Sequence, residues 1–267
     1  MKQRVLFYCL LGGLPLSIAA LGAGHFAWWW LSGMLLAAGF VPIALFGPRG
    51  GLRQLGVIAP VLFVVSVLCT WSEALIFLPG ASTNPAGDLV GALVLYVIEA
   101  VALAILAAGL GLTRESGARV ARRPLAATLL MLLACGVAYA VYYLVFGAIT
   151  YQFFTKGYYP EAEDVVRRLG LWLWVIQIGR GVLMTLAVLP AIHTLRLPRG
   201  PAAIATGALL WIAGGAAPLL PPNEFMVTAQ RMLHIVEILT QNASLGITAV
   251  LLLRPRSAPV AETTRAA

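Results

Sequence analysis

Charge is what this chain has least of. Only 10% of its 267 residues are Asp, Glu, Lys or Arg, against about a quarter in soluble globular proteins. That shortage excludes an ordinary soluble enzyme, a charge-rich disordered chain and a coiled coil. Cysteine is scarce too. Cys9, Cys69 and Cys135 each lie alone in an apolar run, with no CxxC spacing. A disulfide framework or a zinc ribbon is therefore excluded, and buried small-residue packing is the reading for all three. Histidine occurs three times, and lysine twice beside sixteen arginines. Strand-like alternation, long linkers, low-complexity tracts and internal repeats are missing.

What remains is apolar: 61% of residues are hydrophobic, and the mean hydropathy is +0.91. A membrane-spanning helix takes about 20 mostly apolar residues. Eight stretches qualify, at roughly 5–22, 27–46, 56–79, 89–112, 125–150, 170–194, 201–220 and 228–253. They are separated by breaker segments such as GPRGG, PGASTNPAGD, TRESGARVARRP and LPPNE. The expected fold is all-α: a polytopic transmembrane bundle of about eight spans, with residues 1–267 forming a single integral membrane domain.

The net charge of +8 would suggest nucleic acid if it formed one patch on a soluble domain. Instead it alternates from loop to loop. Thirteen basic residues fall at the termini and in even-numbered loops: Lys2, Arg4, Arg49, Arg53, Arg114, Arg119, Arg122, Arg123, Arg196, Arg199, Arg254, Arg256 and Arg265. Three, Lys156, Arg167 and Arg168, fall on the other side. Basic residues accumulate in short cytoplasmic loops, so both termini are expected in the cytoplasm, with residues 254–267 as a cytoplasmic tail. The charge marks orientation, and nucleic acid is not an expected partner. Arginine in place of lysine, with abundant Ala, Leu and Gly, fits a GC-rich bacterial genome and hence a bacterial inner membrane. The N-terminus also has the pattern of a signal peptide, a basic start and apolar stretch followed by small residues around 19–24. Its apolar stretch is long for a signal core, which favours an uncleaved first helix.

Residues 150–170 form the one sizeable external segment, both aromatic and acidic. Tyr151, Phe153, Phe154, Tyr158 and Tyr159 suit an aromatic belt at the headgroup level. Residues 161–168 are expected to form an amphipathic helical turn, a lid or surface helix over an external cavity.

A charge inside the bilayer costs several kcal/mol, about 2.5–3.5 on insertion scales, so such residues face the bundle interior and pair. Glu73, Glu99, Arg180 and Glu237 fall within spans, with Arg231 and His234 towards the outer end of the last span. Counting about 1.5 Å per residue, Glu73, Glu99, Arg180, His234 and Glu237 lie between the outer surface and the midplane, about 9–15 Å deep. In the last span, Gln230, Arg231, His234, Glu237, Gln241, Ser244 and Thr248 fall within an arc of about 160°, with Asn242 near its edge. Gln177 shares a face with Arg180, Ser66 and Thr70 share one with Glu73, and Tyr96 one with Glu99. Tyr139, Tyr142 and Tyr143 occupy the outer half of the fifth span. Arg180 is expected to pair with Glu99 or Glu237.

The candidate substrate or proton site is therefore Glu73, Glu99, Gln177, Arg180, Arg231, His234, Glu237, Gln241 and Asn242. Its structural alternative is helix–helix hydrogen bonding with one or two ion pairs. The leading functional expectation is transport or binding of a small polar or amphiphilic solute, with protons carried on buried carboxylates. An enzyme acting on a lipid-linked substrate at the outer leaflet is the alternative, with His234 or a glutamate as acid or base. A non-catalytic assembly or sensory subunit is the third. His234 and Glu237, spaced i and i+3, are a weak candidate metal pair, since HExxH and paired ExxH motifs are absent. No GxSxG elbow is present. Cofactor and oligomeric state stay open.

Overall fold

The computed structural model describes residues 1–77, 84–113, 120–121, 123–159, 161–223 and 226–255. Regular structure among them is helical throughout. Among the described residues, seven helices are long and apolar enough to cross a membrane: α3 (Phe26–Phe46), α4 (Gly51–Phe77), α5 (Pro85–Gly109), α6 (Leu125–Thr155), α8 (Leu171–Thr194), α9 (Arg199–Leu219) and α10 (Thr228–Leu253). The chain is a polytopic helical bundle. Between α6 and α8 lies the short helix α7 (Ala162–Leu169), where the sequence predicts an amphipathic turn.

The first expected span is kinked. It consists of α1 (Lys2–Gly12) and α2 (Leu14–Ala19), each too short to cross alone. Gly13 between them keeps helical dihedrals, but Pro15 has no N–H to continue the ladder. Beside the break, the Trp30 indole of α3 donates to the Leu10 carbonyl at 3.0 Å. Small residues permit this approach: a Cβ on Gly13 would lie 2.5 Å from Trp30.

The same device sets the other close contacts. A Cβ on Gly246 of α10 would lie 2.6 Å from the Gly207 Cα of α9, and one on Gly181 of α8 would lie 2.9 Å from the Gly136 Cα of α6. Close backbone approach replaces the hydrophobic drive that lipid does not supply. As a result α10 sits against α6, α8 and α9, while α4 reaches α5, α8 and α9.

Three stretches have the wide turns of a π-helix: Val61–Cys69 in α4, Ile212–Ala216 in α9 and Tyr151–Thr155 at the end of α6. Such turns are rare and gather at functional sites. In α4 the wide stretch begins directly after Pro60. In α9 it precedes Pro218, which leaves the Gly214 carbonyl without its helical donor. The wide turns of α4 and α9 face one another.

At the arginine-rich end, basic side chains cap helices. Arg254 donates to the carbonyls of Ile192, Leu195 and Leu197 at 2.7, 2.6 and 2.9 Å. Arg123 donates to Leu252 at 2.8 Å and Arg4 to Leu110 at 3.3 Å, and Arg199 bonds the Leu251 carbonyl. The last carbonyls of a helix lack partners and carry its negative dipole end. These arginines therefore satisfy the ends of α5, α8 and α10. Arg114, Arg119, Arg122, Arg256 and Arg265, with nearly all of the 254–267 tail, lie outside the described residues.

Candidate functional site

The polar centre is assembled from α4, α6, α8 and α10. Glu73, four residues before the end of α4, receives Arg180 of α8 at 2.6 Å and the Tyr143 hydroxyl of α6 at 3.0 Å. The pairing expected for Arg180, with Glu99 or Glu237, is thus replaced by Glu73. The other arm of the guanidinium donates to Gln177 Oε1 at 2.9 Å, and Tyr139 and Tyr143 stack around the cation, 5.9 and 5.6 Å from ring centroids. Two aromatic faces, one carboxylate and one amide immobilise a single cation.

On α10, His234 Nδ1 meets Glu237 Oε2 at 3.0 Å, and Gln241 donates to Glu237 Oε1 at 3.0 Å. One helical turn separates the three side chains, which is why they share a face. Gly147 of α6 makes room for them, since a Cβ there would lie 3.3 Å from Glu237. Gln241, which bonds Glu237, lines the same pocket as Glu73 and Arg180, so the two pairs form one cluster. Among the described residues no group of three His, Cys, Asp or Glu side chains is arranged to hold a metal.

Two predicted members lie elsewhere. Arg231 turns to the α9–α10 loop, bonding the Pro221 carbonyl and Thr228 Oγ1; it pins that loop. Glu99 is fully buried on α5, with neither oxygen hydrogen-bonded, and acts electrostatically on Tyr8 of α1 and Tyr96. Among the described residues, Glu99 thus lies in a buried acidic region separate from the Glu73–Glu237 cluster, where the sequence suggested one. Asn242 stays at the edge of the cluster and donates to the Leu210 carbonyl at 3.1 Å, just before the wide turn of α9.

Between the wide turns lies a small polar pocket with room for about one water. Thr70, Glu73, Arg180, Gln241 and Asn242 give it polar walls, and Cys69, Met184 and Ile238 apolar ones. Cys69, Gly214 and Met184 did not stand out in the sequence. The wide turn explains part of this: it brings the Thr70 hydroxyl to the Val65 carbonyl, 3.2 Å away, and leaves the Ser66 hydroxyl buried without a partner. A regular helix would place Ser66 below Thr70 on the same face.

At the end of the bundle away from the arginine-rich one, the segment after α6 leans over the cluster. Tyr159 is half-buried, lies within hydrogen-bonding reach of Gln230 on α10, and acts electrostatically with Glu237 and Glu73; burial pushes its phenol up. Outside, Lys156 pairs with Glu163 at 2.9 Å and holds that carboxyl below the usual range. α7 packs against the last turns of α4 and against α8, with its own Val165 buried.

Compared with family models, curated proteins and solved structures, the chain finds no match.

Proposed function

We propose that this protein is a proton-linked carrier or binding protein for a small polar solute in a bacterial inner membrane, with both termini cytoplasmic and the polar site in the outer half of the bilayer. The observation that carries the reading is the charge balance of the cluster. Glu73 and Glu237 bring two negative charges and Arg180 one positive charge, within spans and largely buried. With His234 neutral the group keeps one net negative charge. A proton on the His234–Glu237 pair removes it. Uncompensated charge in a low-dielectric interior is costly, so the occupancy of that proton is coupled to anything that alters the electrostatics beside it. A solute entering next to Arg180 does so.

Other features support transport over simple adhesion between helices. The cluster draws on four spans, adjoins a cavity, and lies beneath Tyr159 and α7 on the external side. The enzyme reading rests on the same His234–Glu237 pair, which has the form of a histidine oriented by a carboxylate.

The test is reconstitution in liposomes loaded with a pH-sensitive dye, challenged with a panel of small amides, alcohols, amino acids and carboxylic acids. The expected result is proton movement driven by at least one solute gradient, lost in Glu237→Gln. Absence of solute-driven proton movement across the panel would overturn the reading. Chemical conversion of a panel member would favour the enzyme.

A further inference from the structure

Glu73, Glu99 and Glu237 lie within the spans, and of these Glu99 alone bonds to nothing. It stands in the middle of α5, about 15 Å from the last residue of that helix. Its side chain is fully buried, and both carboxyl oxygens lack a partner. The hydroxyl of Tyr8 on α1 is equally buried and equally unbonded.

Among the described residues, the surroundings hold no counter-charge. α5 packs chiefly against α1, α2, α3 and α4. Neither α2 nor α3 carries a charged or titratable side chain. On α1, Lys2 is exposed, and Arg4 reaches the Leu110 carbonyl, about 16 Å along α5 from Glu99. On α4, Arg53 is exposed near the start of the helix, and Glu73 is matched by Arg180. Asp88 lies as far from Glu99 in the other direction, in the first turn of α5. The titratable groups left are Tyr96 one turn away, Tyr8 and Cys9 of α1, and Cys69, which lines the pocket beside Arg180. None of them is a cation.

An ionised carboxylate so placed has neither a cation nor a donor to offset its lost hydration. A metal ion does not mend this. A hard cation takes about six oxygen ligands, and no group of three His, Cys, Asp or Glu side chains gathers among the described residues. A proton does mend it, and a proton needs only the carboxylate.

We propose that Glu99 is a second proton-binding site, a neutral acid while α1 is packed on α5, and that losing its proton parts the two helices. The site is independent of the carrier reading above. Ionisation of Glu99 demands water, and water reaches a fully buried carboxyl only when the packing opens. α1 is the element placed to move. It touches its neighbours through Gly12, where a Cβ would lie 2.9 Å from Leu103 of α5 and 2.7 Å from Ala37 of α3. The break at Gly13–Pro15 separates it from α2.

The test is infrared spectroscopy of the full-length protein in lipid nanodiscs. At neutral pH the carbonyl band of an undissociated acid is expected, and it disappears in Glu99→Gln. Loss of a carboxylate band instead overturns the proposal. Where Glu99→Gln fails to fold, Glu237→Gln decides. The acid band is expected to persist there, since Arg180 holds Glu73 ionised, and its absence overturns the proposal. Hydrogen–deuterium exchange across α1 reads the parting of the helices. The unaltered protein and Glu99→Gln are expected to exchange alike at neutral pH. At alkaline pH the unaltered protein is expected to exchange several-fold faster, because only it ionises at this position. Equal exchange at alkaline pH overturns the proposed coupling.

Discussion

Arg180 and Arg254 are both buried arginines, and the bundle uses them in opposite ways. Arg254 stands at the arginine-rich end and gives its donors to three backbone carbonyls around the C-terminus of α8. Its partners are neutral, fixed by the helix, and would lack donors without it. Arg180 stands in the same helix's other half and gives its donors to side chains, one of them the charged Glu73. One partner, Gln177, lies one turn away on α8 and the other, Glu73, comes from α4, and one of its own donors is left over. The contrast separates a cation that closes a structure from one that poises a site. Residue type and burial alone do not make that distinction, but the chemistry of the acceptors does.

The comparison is broken most severely at Arg180. Arg180→Met is expected to destabilise the protein by about 3–5 kcal/mol, because it strands a largely buried carboxylate. The double substitution Arg180→Met with Glu73→Gln is expected to recover most of that loss. Thermal unfolding in a mild detergent measures both, and a double variant no more stable than the single one would deny that the pair acts as a unit. Arg254→Ala is expected to cost less, about 1–3 kcal/mol, through carbonyls left without donors, and to leave solute-driven proton movement per folded molecule unchanged. The smallest effect belongs to the external pair. Lys156 holds Glu163 below the usual carboxylate range, so the pair's contribution is present at neutral pH and fades as pH falls through the lowered value. Both groups are exposed and screened. Lys156→Ala is expected to leave the unfolding temperature at neutral pH within experimental error, and a clear drop there would show that the segment before α7 is a structural brace.

Much of the bundle was legible in the sequence because membrane helices announce themselves by length and apolarity. The kink at Gly13–Pro15 was not. Trp30 reaches the Leu10 carbonyl beside it from another helix, and no local pattern encodes that contact. At the site, the group on α10 followed from helical phase alone: His234, Glu237 and Gln241 lie one turn apart on one helix and do bond together. Glu73, Glu99 and Arg231 show where such reasoning stops. Depth alone placed Glu99 beside Arg180, but depth says nothing about position around the bundle axis, and Glu99 faces Tyr8 and Tyr96. Arg231 shares the polar face of α10, yet the loop carbonyl of Pro221 captures it. The wide turn at Val61–Cys69 shifts which residues of α4 share a face, so Thr70 and Glu73 line the cavity with Cys69 and Val65 instead of Ser66. Tyr139 and Tyr143, four residues apart on α6, were the available sign that a cation would be enclosed there.

The central claim is that the Glu73–Arg180 and His234–Glu237 pairs form a proton-linked site, whereas the arginine-rich end is scaffold. Solute-driven proton movement in liposomes, compared for Glu237→Gln and Arg254→Lys at equal amounts of folded protein, tests it most directly. The account predicts loss in Glu237→Gln and retention in Arg254→Lys. Retention in both would contradict it.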